Sequence, residues 1–275
     1  MASGDITTRL LWAAGFLVLG VVSVYVALPV AIAFVMSFSD GQILRFPIQS
    51  WSLRWYGDFF GSRQYVDALV NTLVIALGAT ALSVTAGTAS AWAISRRKTL
   101  ATGALTLLHM LPLFVPGVVL GLGIAITFGN VRLFGVDLYG TRFIVMLAHS
   151  LWGMPLVMML METTFRSLDR QVLEASRDLG AGPFTTFREI VLPEVRTAIA
   201  SSALFSFVVS VNEFYMALFL TTRDTQTLPV LMWLSLRSAG SPRLAVAAVV
   251  LMTIVLVSLV LLATGLRKRE RKPQP

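Results

Sequence analysis

Cysteine is absent from the 275 residues. That excludes a disulfide framework, a thiolate metal site and a cysteine nucleophile. Charge is scarce too: Asp, Glu, Lys and Arg make up 13% of the chain, about half the roughly 25% of a soluble domain. The two histidines, His109 and His149, stand alone in the sequence and read as structural residues, which leaves no metal site. No Gly-x-x-x-x-Gly-Lys-[Ser/Thr] run occurs, so the chain has no loop of that kind to cradle nucleotide phosphates. No Ser/His/Asp arrangement and no pair of carboxylates at catalytic spacing emerges, so no catalytic residue is assigned and the chain is not read as an enzyme.

What is present is apolar sequence. Hydrophobic residues reach 56%, mean hydropathy is +0.78, and the excess falls into long uninterrupted runs. A spanning helix needs roughly 20 apolar residues, and six segments qualify: Leu10–Phe38, Ala68–Ile94, Gly103–Phe128, Phe143–Thr163, Ala198–Leu220 and Leu244–Leu266. The first is much longer than the roughly 7–15 apolar residues of a secretion signal, so it reads as an uncleaved helix. The sequence therefore predicts an all-α integral membrane protein, one domain over residues 1–275.

The net charge of +8 does not point to nucleic acid, which calls for a basic surface with recognisable motifs. The positive residues sit in clusters between spans, Arg96-Arg97-Lys98 and Arg267-Lys268-Arg269 with Arg271-Lys272. With both termini in the cytoplasm, 14 of the 22 Lys and Arg residues fall inside and 8 outside. That excess sets the orientation. The long outer connection Ser39–Asp67 carries Trp51, Trp55, Tyr56, Phe59 and Phe60, which predicts a short interfacial helix with Ser52 as N-cap, anchoring the chain.

Between spans four and five, on the cytoplasmic side, lies a polar island, Leu173 to Pro193. Asp169 is placed to cap a helix from Arg170 to Leu179. Gly180 follows where a helix end favours left-handed backbone. Gly182-Pro183 resets direction, a second short helix is expected from about Phe184 to Val191, and Pro193 marks the approach to span five. Such a helix–turn–helix with exposed charges suits docking into a socket on a cytoplasmic protein.

The island resembles the signature loop of permease subunits of binding-protein-dependent ABC importers: Glu-Ala-Ala, three residues, Gly, nine residues, Ile, one residue, Leu-Pro. Here it reads Glu174-Ala175-Ser176, Gly180, Ile190 and Leu192-Pro193, with Ser176 in place of the second Ala. Ser52-Leu53-Arg54-Trp55-Tyr56, Asn71-Thr72-Leu73 and Thr227-Leu228-Pro229 are similar to the spermidine/putrescine branch, and the resemblance covers nearly the whole chain. It implies a type I importer permease fold in the inner membrane of a bacterium. Glu174 through Gly180 (Glu174, Ala175, Ser176, Arg177, Asp178, Leu179, Gly180), with Ile190, Leu192 and Pro193, would form coupling helices in a cleft of an ATPase. Glu174 would be the polar contact and Gly180 the turn. The implied partners are a second permease, a different chain in preference to a second copy, two ATPase copies holding ATP and Mg, and an extracytoplasmic binding protein.

Inside the membrane Glu213 stands out, because a carboxylate deep in a span costs about 2.5–3.5 kcal/mol on translocon scales. Its position, eight residues from the end of span five, puts it about 12 Å down. Ser202, Ser206, Ser210 and Glu213 share one helix face, which predicts a pathway or a partner helix there and not lipid. The substrate pathway is therefore expected to include Glu213, Asn212, Ser210, Ser206 and Asn71, with interhelical support as the competing role for Glu213 and Asn71. The polyamine branch often carries two acids near Glu213. Asn212 replaces one, which points to a substrate with a single amine. Ala79, Ser83, Gly87 and Ala91 form a small-residue stripe, and Gly117 and Gly121 repeat the device. Pro112 and Pro116 are expected to break span three.

Two other readings compete: an ion-gradient secondary transporter, and a membrane scaffold. The first lacks an inverted repeat and enough buried polar residues; the second leaves Glu213 and the island without a purpose. Within the importer reading, a phosphonate, an opine or an iron complex is the alternative to an amine.

Overall fold

A computed structural model describes residues 2–96 and 99–270 and is helical almost throughout. Arg97, Lys98, Arg271 and Lys272, which contribute to the charge asymmetry, lie outside the described residues. In chain order the helices are α1 (Ala2–Met36), α2 (Arg54–Gly61), α3 (Arg63–Arg96), α4 (Leu100–Phe114) and α5 (Gly117–Phe128). A two-stranded hairpin, β1 (Arg132–Leu133) and β2 (Val136–Asp137), precedes α6 (Arg142–Arg166). There follow α7 (Arg170–Asp178), α8 (Pro183–Thr186), a π-turn over Phe187–Val191, α9 (Leu192–Val211), α10 (Tyr215–Leu220), α11 (Leu228–Ala239) and α12 (Arg243–Glu270).

Among the described residues five stretches are long and apolar enough to cross a membrane: Leu10–Met36, Arg63–Arg96, Arg142–Arg166, Pro183–Val211 and Arg243–Gly265. A sixth arises if α4 and α5, bent by 103° to each other, count as one span. The cause of the bend is chemical. Pro116 has no N–H, so the carbonyl of Pro112 loses its donor in the next turn. That carbonyl instead accepts from the Val115 amide at 3.3 Å and from Trp152 Nε1 at 3.0 Å. Only Pro116 breaks the span; Pro112 lies inside α4, contrary to the expectation that both would.

Two compact units are distinguishable. The first comprises residues up to Ser62 together with Leu234–Met252. The expected short helix is there, but α2 starts at Arg54 and its N-cap is Leu53, not Ser52 as expected; the Ser52 hydroxyl accepts from the Arg54 amide at 3.1 Å one position ahead of the cap. Trp55 and Phe59 are buried, whereas Trp51 and Phe60 are exposed. Trp55 Nε1 donates to the Gly41 carbonyl at 3.0 Å, and the Ser37 and Tyr56 hydroxyls meet at 2.8 Å. Arg243 lies 3.8 Å from Asp58 and over the Trp55 ring.

The second unit, Arg63–Trp233 with the residues from Thr253 onward, is built on α3, α6 and α9. The small-residue stripe of α3 is buried along its length. A methyl on Gly87 would come within 2.8 Å of the Met154 carbonyl and 2.9 Å of Val157, so glycine there sets how closely α3 approaches α6. Gly153 of α6 does the same from the opposite helix, since a methyl there would strike both Ser83 and Ser206. Gly117 and Gly121 seat α5 against Tyr215 and Met216 at the start of α10. One apolar cluster packs Ile75, Ile144, Val145 and Ala148 on Met216, Ala217 and Leu220; a second joins Ala91 and Ile94 to Val157, Met161, Val191 and Val195.

Candidate functional site

The polar island folds as its local signals dictate. Asp169 Oδ1 accepts from the Gln171 amide at 2.8 Å and caps α7. At the other end Gly180 takes φ +82°, its amide donates to the Arg177 carbonyl at 2.8 Å, and the Ala181 amide donates to the Ser176 carbonyl at 3.0 Å. Those two bonds define the Schellman ending of a helix. Pro183 opens α8 at the position where a missing N–H costs nothing. The second helix departs from expectation. It does not stop at Val191: α8, the π-turn and α9 run on as one helical rod, with Pro193 in the first turn of α9. Pro193 cannot donate to the preceding turn, and the register widens there, with the Leu192 amide reaching back to the Phe187 carbonyl.

Of the signature residues, Ser176 alone is buried. Its hydroxyl bonds the buried Thr186 hydroxyl at 2.9 Å, tying α7 to α8. The serine that departs from the Glu-Ala-Ala pattern thus makes a bond that alanine lacks. Glu174, Ala175, Arg177, Asp178, Leu179, Gly180, Leu192 and Pro193 are exposed and Ile190 is half-buried. Leu179 is 88% exposed and Phe184 74%, so two large apolar side chains crown a polar loop. Behind the loop, Phe187 and Phe165 meet Trp92 edge-on at 5.4 and 5.0 Å between centroids, and Arg96 covers the Trp92 ring at 3.8 Å.

The second polar group lies among the spans. The helical run that carries Ser202, Ser206 and Ser210 ends at Val211, and Asn212–Phe214 are non-helical before α10 begins. Glu213 therefore sits in a break and not on a continuous helix face. Its Oε1 accepts from the Met216 amide at 2.8 Å and its Oε2 from the Ala217 amide at 3.0 Å, so its own side chain caps the next helix. His149 Nε2 lies 3.1 Å from Oε2, and His149 Nδ1 is 2.8 Å from Ser210 Oγ. All three residues are buried. One turn along, Ser206 and Ser83 point buried hydroxyls at Gly153 and have no hydrogen-bond partner among the described residues. Asn212 is exposed, its amide folded back onto the Val208 carbonyl at 2.8 Å.

Asn71 is not near this group in its bonding. Its Nδ2 donates to the Asp224 and Gln226 carbonyls at 2.9 and 3.1 Å, and its Oδ1 accepts from Arg142 Nε at 2.7 Å. The neighbouring Thr72 hydroxyl accepts from the Leu228 amide at 2.8 Å. Asn71-Thr72 and Thr227-Leu228, singled out separately by resemblance, are thus two halves of one latch.

Sequence reasoning gave no role to the pairing of His149 with Glu213 or to Trp152. A cavity of about 450 Å³ opens at the bend of α4 and α5, lined by Phe114, Val115, Pro116, Trp152 and Tyr215. The two span interruptions meet beside it, since Gly117 packs on Tyr215. Among the described residues no group of three His, Asp or Glu side chains is placed to hold a metal ion.

Comparison with known proteins covers most of the chain. Residues 83–272 match the model of the family described as "Binding-protein-dependent transport system inner membrane component". The putrescine transport system permease protein PotI of Escherichia coli K12 is 28% identical over 269 residues, 96% of this chain and 95% of that one. The spermidine/putrescine transport system permease protein PotC of Haemophilus influenzae is 26% identical over 251 residues, 91% and 95% of the two chains. A bacterial alginate ABC transporter, solved in complex with alginate pentasaccharide-bound periplasmic protein, superposes with a TM-score of 0.79 over 99% of both chains at 16% identity.

Proposed function

We propose a specific role for this chain, which belongs to the binding-protein-dependent transport system inner membrane components: the pathway-forming permease of an importer for a small amine-bearing solute. It is a membrane-spanning subunit of an ABC importer of that type, not an enzyme, and ATP hydrolysis belongs to a separate subunit. Family membership displaces the ion-gradient transporter and the scaffold. What supports the amine is similarity, along nearly the full length of the chain, to polyamine permeases.

The observation that carries the mechanism is the island. The short helix α7 is tied to the start of the long rod by the Ser176–Thr186 bond and the Schellman turn, while Glu174, Leu179 and Phe184 are exposed. A rigid, exposed element with an apolar crown is what a cleft on another protein can grip. In this reading two ATPases, loaded with ATP and Mg, bind the loops of this chain and of a second, different permease. Their closure rocks the spans between inward and outward openings, and an extracytoplasmic binding protein supplies the solute. Residues 1–275 act as one permease domain with both termini and the island in the cytoplasm.

Within the spans, Glu213, Asn212, Ser210 and Ser206 line the step where the solute crosses, and Asn71 latches the outer ends of the helices beside it. The carboxylate of Glu213 is engaged by two amides and His149. To meet a substrate it must release those partners, so its contact with the solute belongs to a different opening of the pathway. The test is purification of the tagged chain from native membranes. An ATPase and a second permease should accompany it, and the binding protein of the same system should carry an amine, read by mass spectrometry. A complex without an ATPase refutes the coupling role; a carried ligand that is a pure anion refutes the amine.

A further inference from the structure

The hairpin between α5 and α6 has no part in the reading above. Its turn is Phe134-Gly135, with φ +50° and +83°. Positive φ at both central residues is the type I′ turn, whose first position favours Asn, Asp or Gly and penalises a bulky ring. Phe134 occupies it nonetheless and is 97% exposed. The chain thus accepts an unfavourable backbone to display an aromatic side chain at the tip. The hairpin has two faces: Leu133 pairs with Val136 on one, Arg132 with Asp137 on the other, where Nε and Oδ1 lie 2.6 Å apart. Asp137 holds the Arg132 guanidinium more firmly protonated than usual. Leu133, Phe134 and Val136 are all exposed.

Where the hairpin is tied decides what it can reach. The Val131 amide bonds the Phe128 carbonyl at the last residue of α5, and Thr141 caps the start of α6. Tyr139 donates to the Phe219 carbonyl at 3.1 Å and Thr225 to the Gly140 carbonyl at 2.8 Å, so the base is fixed. From Val131 to Phe134 is three residues, a reach of about 10 Å at about 3.3 Å each. The headgroup layer is roughly 5–8 Å thick on each side of the hydrocarbon. The tip of a hairpin rooted at the ends of two spans is within reach of that layer, where aromatic side chains concentrate.

We propose that the hairpin is a membrane-surface anchor: Leu133, Phe134 and Val136 insert among lipid headgroups beside spans three and four, and the Arg132–Asp137 pair faces water. This depends on the chain spanning a membrane and not on its substrate. The cysteine-free sequence allows a direct test. Phe134→Cys, and Arg223→Cys as an exposed control, are labelled with an environment-sensitive fluorophore in the full chain. Each is reconstituted in phosphatidylethanolamine/phosphatidylglycerol vesicles containing headgroup-nitroxide lipid. The label at 134 should emit at shorter wavelength and be quenched several-fold more than the control, with no other protein present. Equal quenching with free access to aqueous iodide overturns the proposal. So does shielding that appears only on addition of the importer's binding protein, which would assign the tip to a protein partner. In a second variant, Phe134→Asn suits the turn better, so the hairpin persists while the ring is lost. Lipid quenching read from a label at Leu133→Cys should then fall, and unchanged quenching would deny the ring its role.

Discussion

Replacing Glu213 separates two jobs that one carboxylate can hold. It accepts from the amides of Met216 and Ala217 and contacts His149. Glu213→Ala leaves two buried N–H groups and an imidazole nitrogen without their partner. At ~1–3 kcal/mol for each orphaned group the loss is ~3–9 kcal/mol. Intramembrane hydrogen bonds, averaging about 0.6 kcal/mol each, set a floor near 2 kcal/mol. Glu213→Gln retains one oxygen and keeps the shape, but its amide nitrogen is a donor facing a donor. It should therefore lose less than alanine, on the order of one charged hydrogen bond, ~1.5–3 kcal/mol. The assay is thermal unfolding of the purified chain in nanodiscs, read beside ATP-driven uptake by the assembled importer. The expected order of midpoints is wild type, Gln, Ala. A wild-type midpoint for Glu213→Ala would refute the capping account of the break. If Gln keeps most of the stability and abolishes uptake, the charge serves the solute; if uptake survives with Gln, the residue serves only the helix break.

Gly153→Ala should destabilise by ~1–3 kcal/mol through overpacking against Ser83 and Ser206; a variant that also carries Ser83→Ala should recover part of the midpoint, and no recovery would place the strain elsewhere. Gly180→Val meets no neighbour, because nothing lies within 4 Å of the added carbon, so its cost is ~1–3 kcal/mol of backbone strain. Insertion should be normal while ATPase retention on pull-down drops, and full retention would remove Gly180 from the docking geometry. For orientation, Ala175→Cys and Gln64→Cys are the useful probes, since both are exposed, whereas Ser176 is buried. An impermeant thiol reagent on intact cells should label position 64 and spare 175; the reverse would put the island outside.

What the sequence revealed and what it hid follow from the range of the forces involved. Spans were legible because the bilayer demands a length and an apolar run: four of the six candidates return as continuous helices, while Gly103–Phe128 is bent at Pro116 and Ala198–Leu220 is interrupted at Asn212–Phe214. The α7 cap at Asp169 and the turn at Gly180 were legible because each is decided within a few residues. The interruption at Asn212–Phe214 was hidden. No proline or glycine marks it, and the group that stabilises it is a side chain from inside the break. Reading Ser202, Ser206, Ser210 and Glu213 as one face correctly put all four in the interior. It missed that the helix ends before the glutamate. His149 pairs with a residue 64 positions away, and no spacing rule reaches across that distance. The continuation through Pro193 was hidden because a proline reads as a stop, whereas one wide turn absorbs its missing donor.

The rod from Pro183 to Val211 is 29 residues long, about 43 Å at 1.5 Å per residue. One end is the polar island; the other abuts the residues that hold Glu213. A stiff helix of that length works as a lever. Tilting it by about 5° about one end sweeps the other by about 4 Å, roughly three-quarters of the 5.4 Å pitch of one helical turn. Within the π-turn Phe187 packs edge-on against Trp92, which Phe165 meets in turn, so the wide turn is braced from one side. A displacement applied at the polar island would be carried along this rod to its far end, beyond which the three non-helical residues Asn212–Phe214 begin.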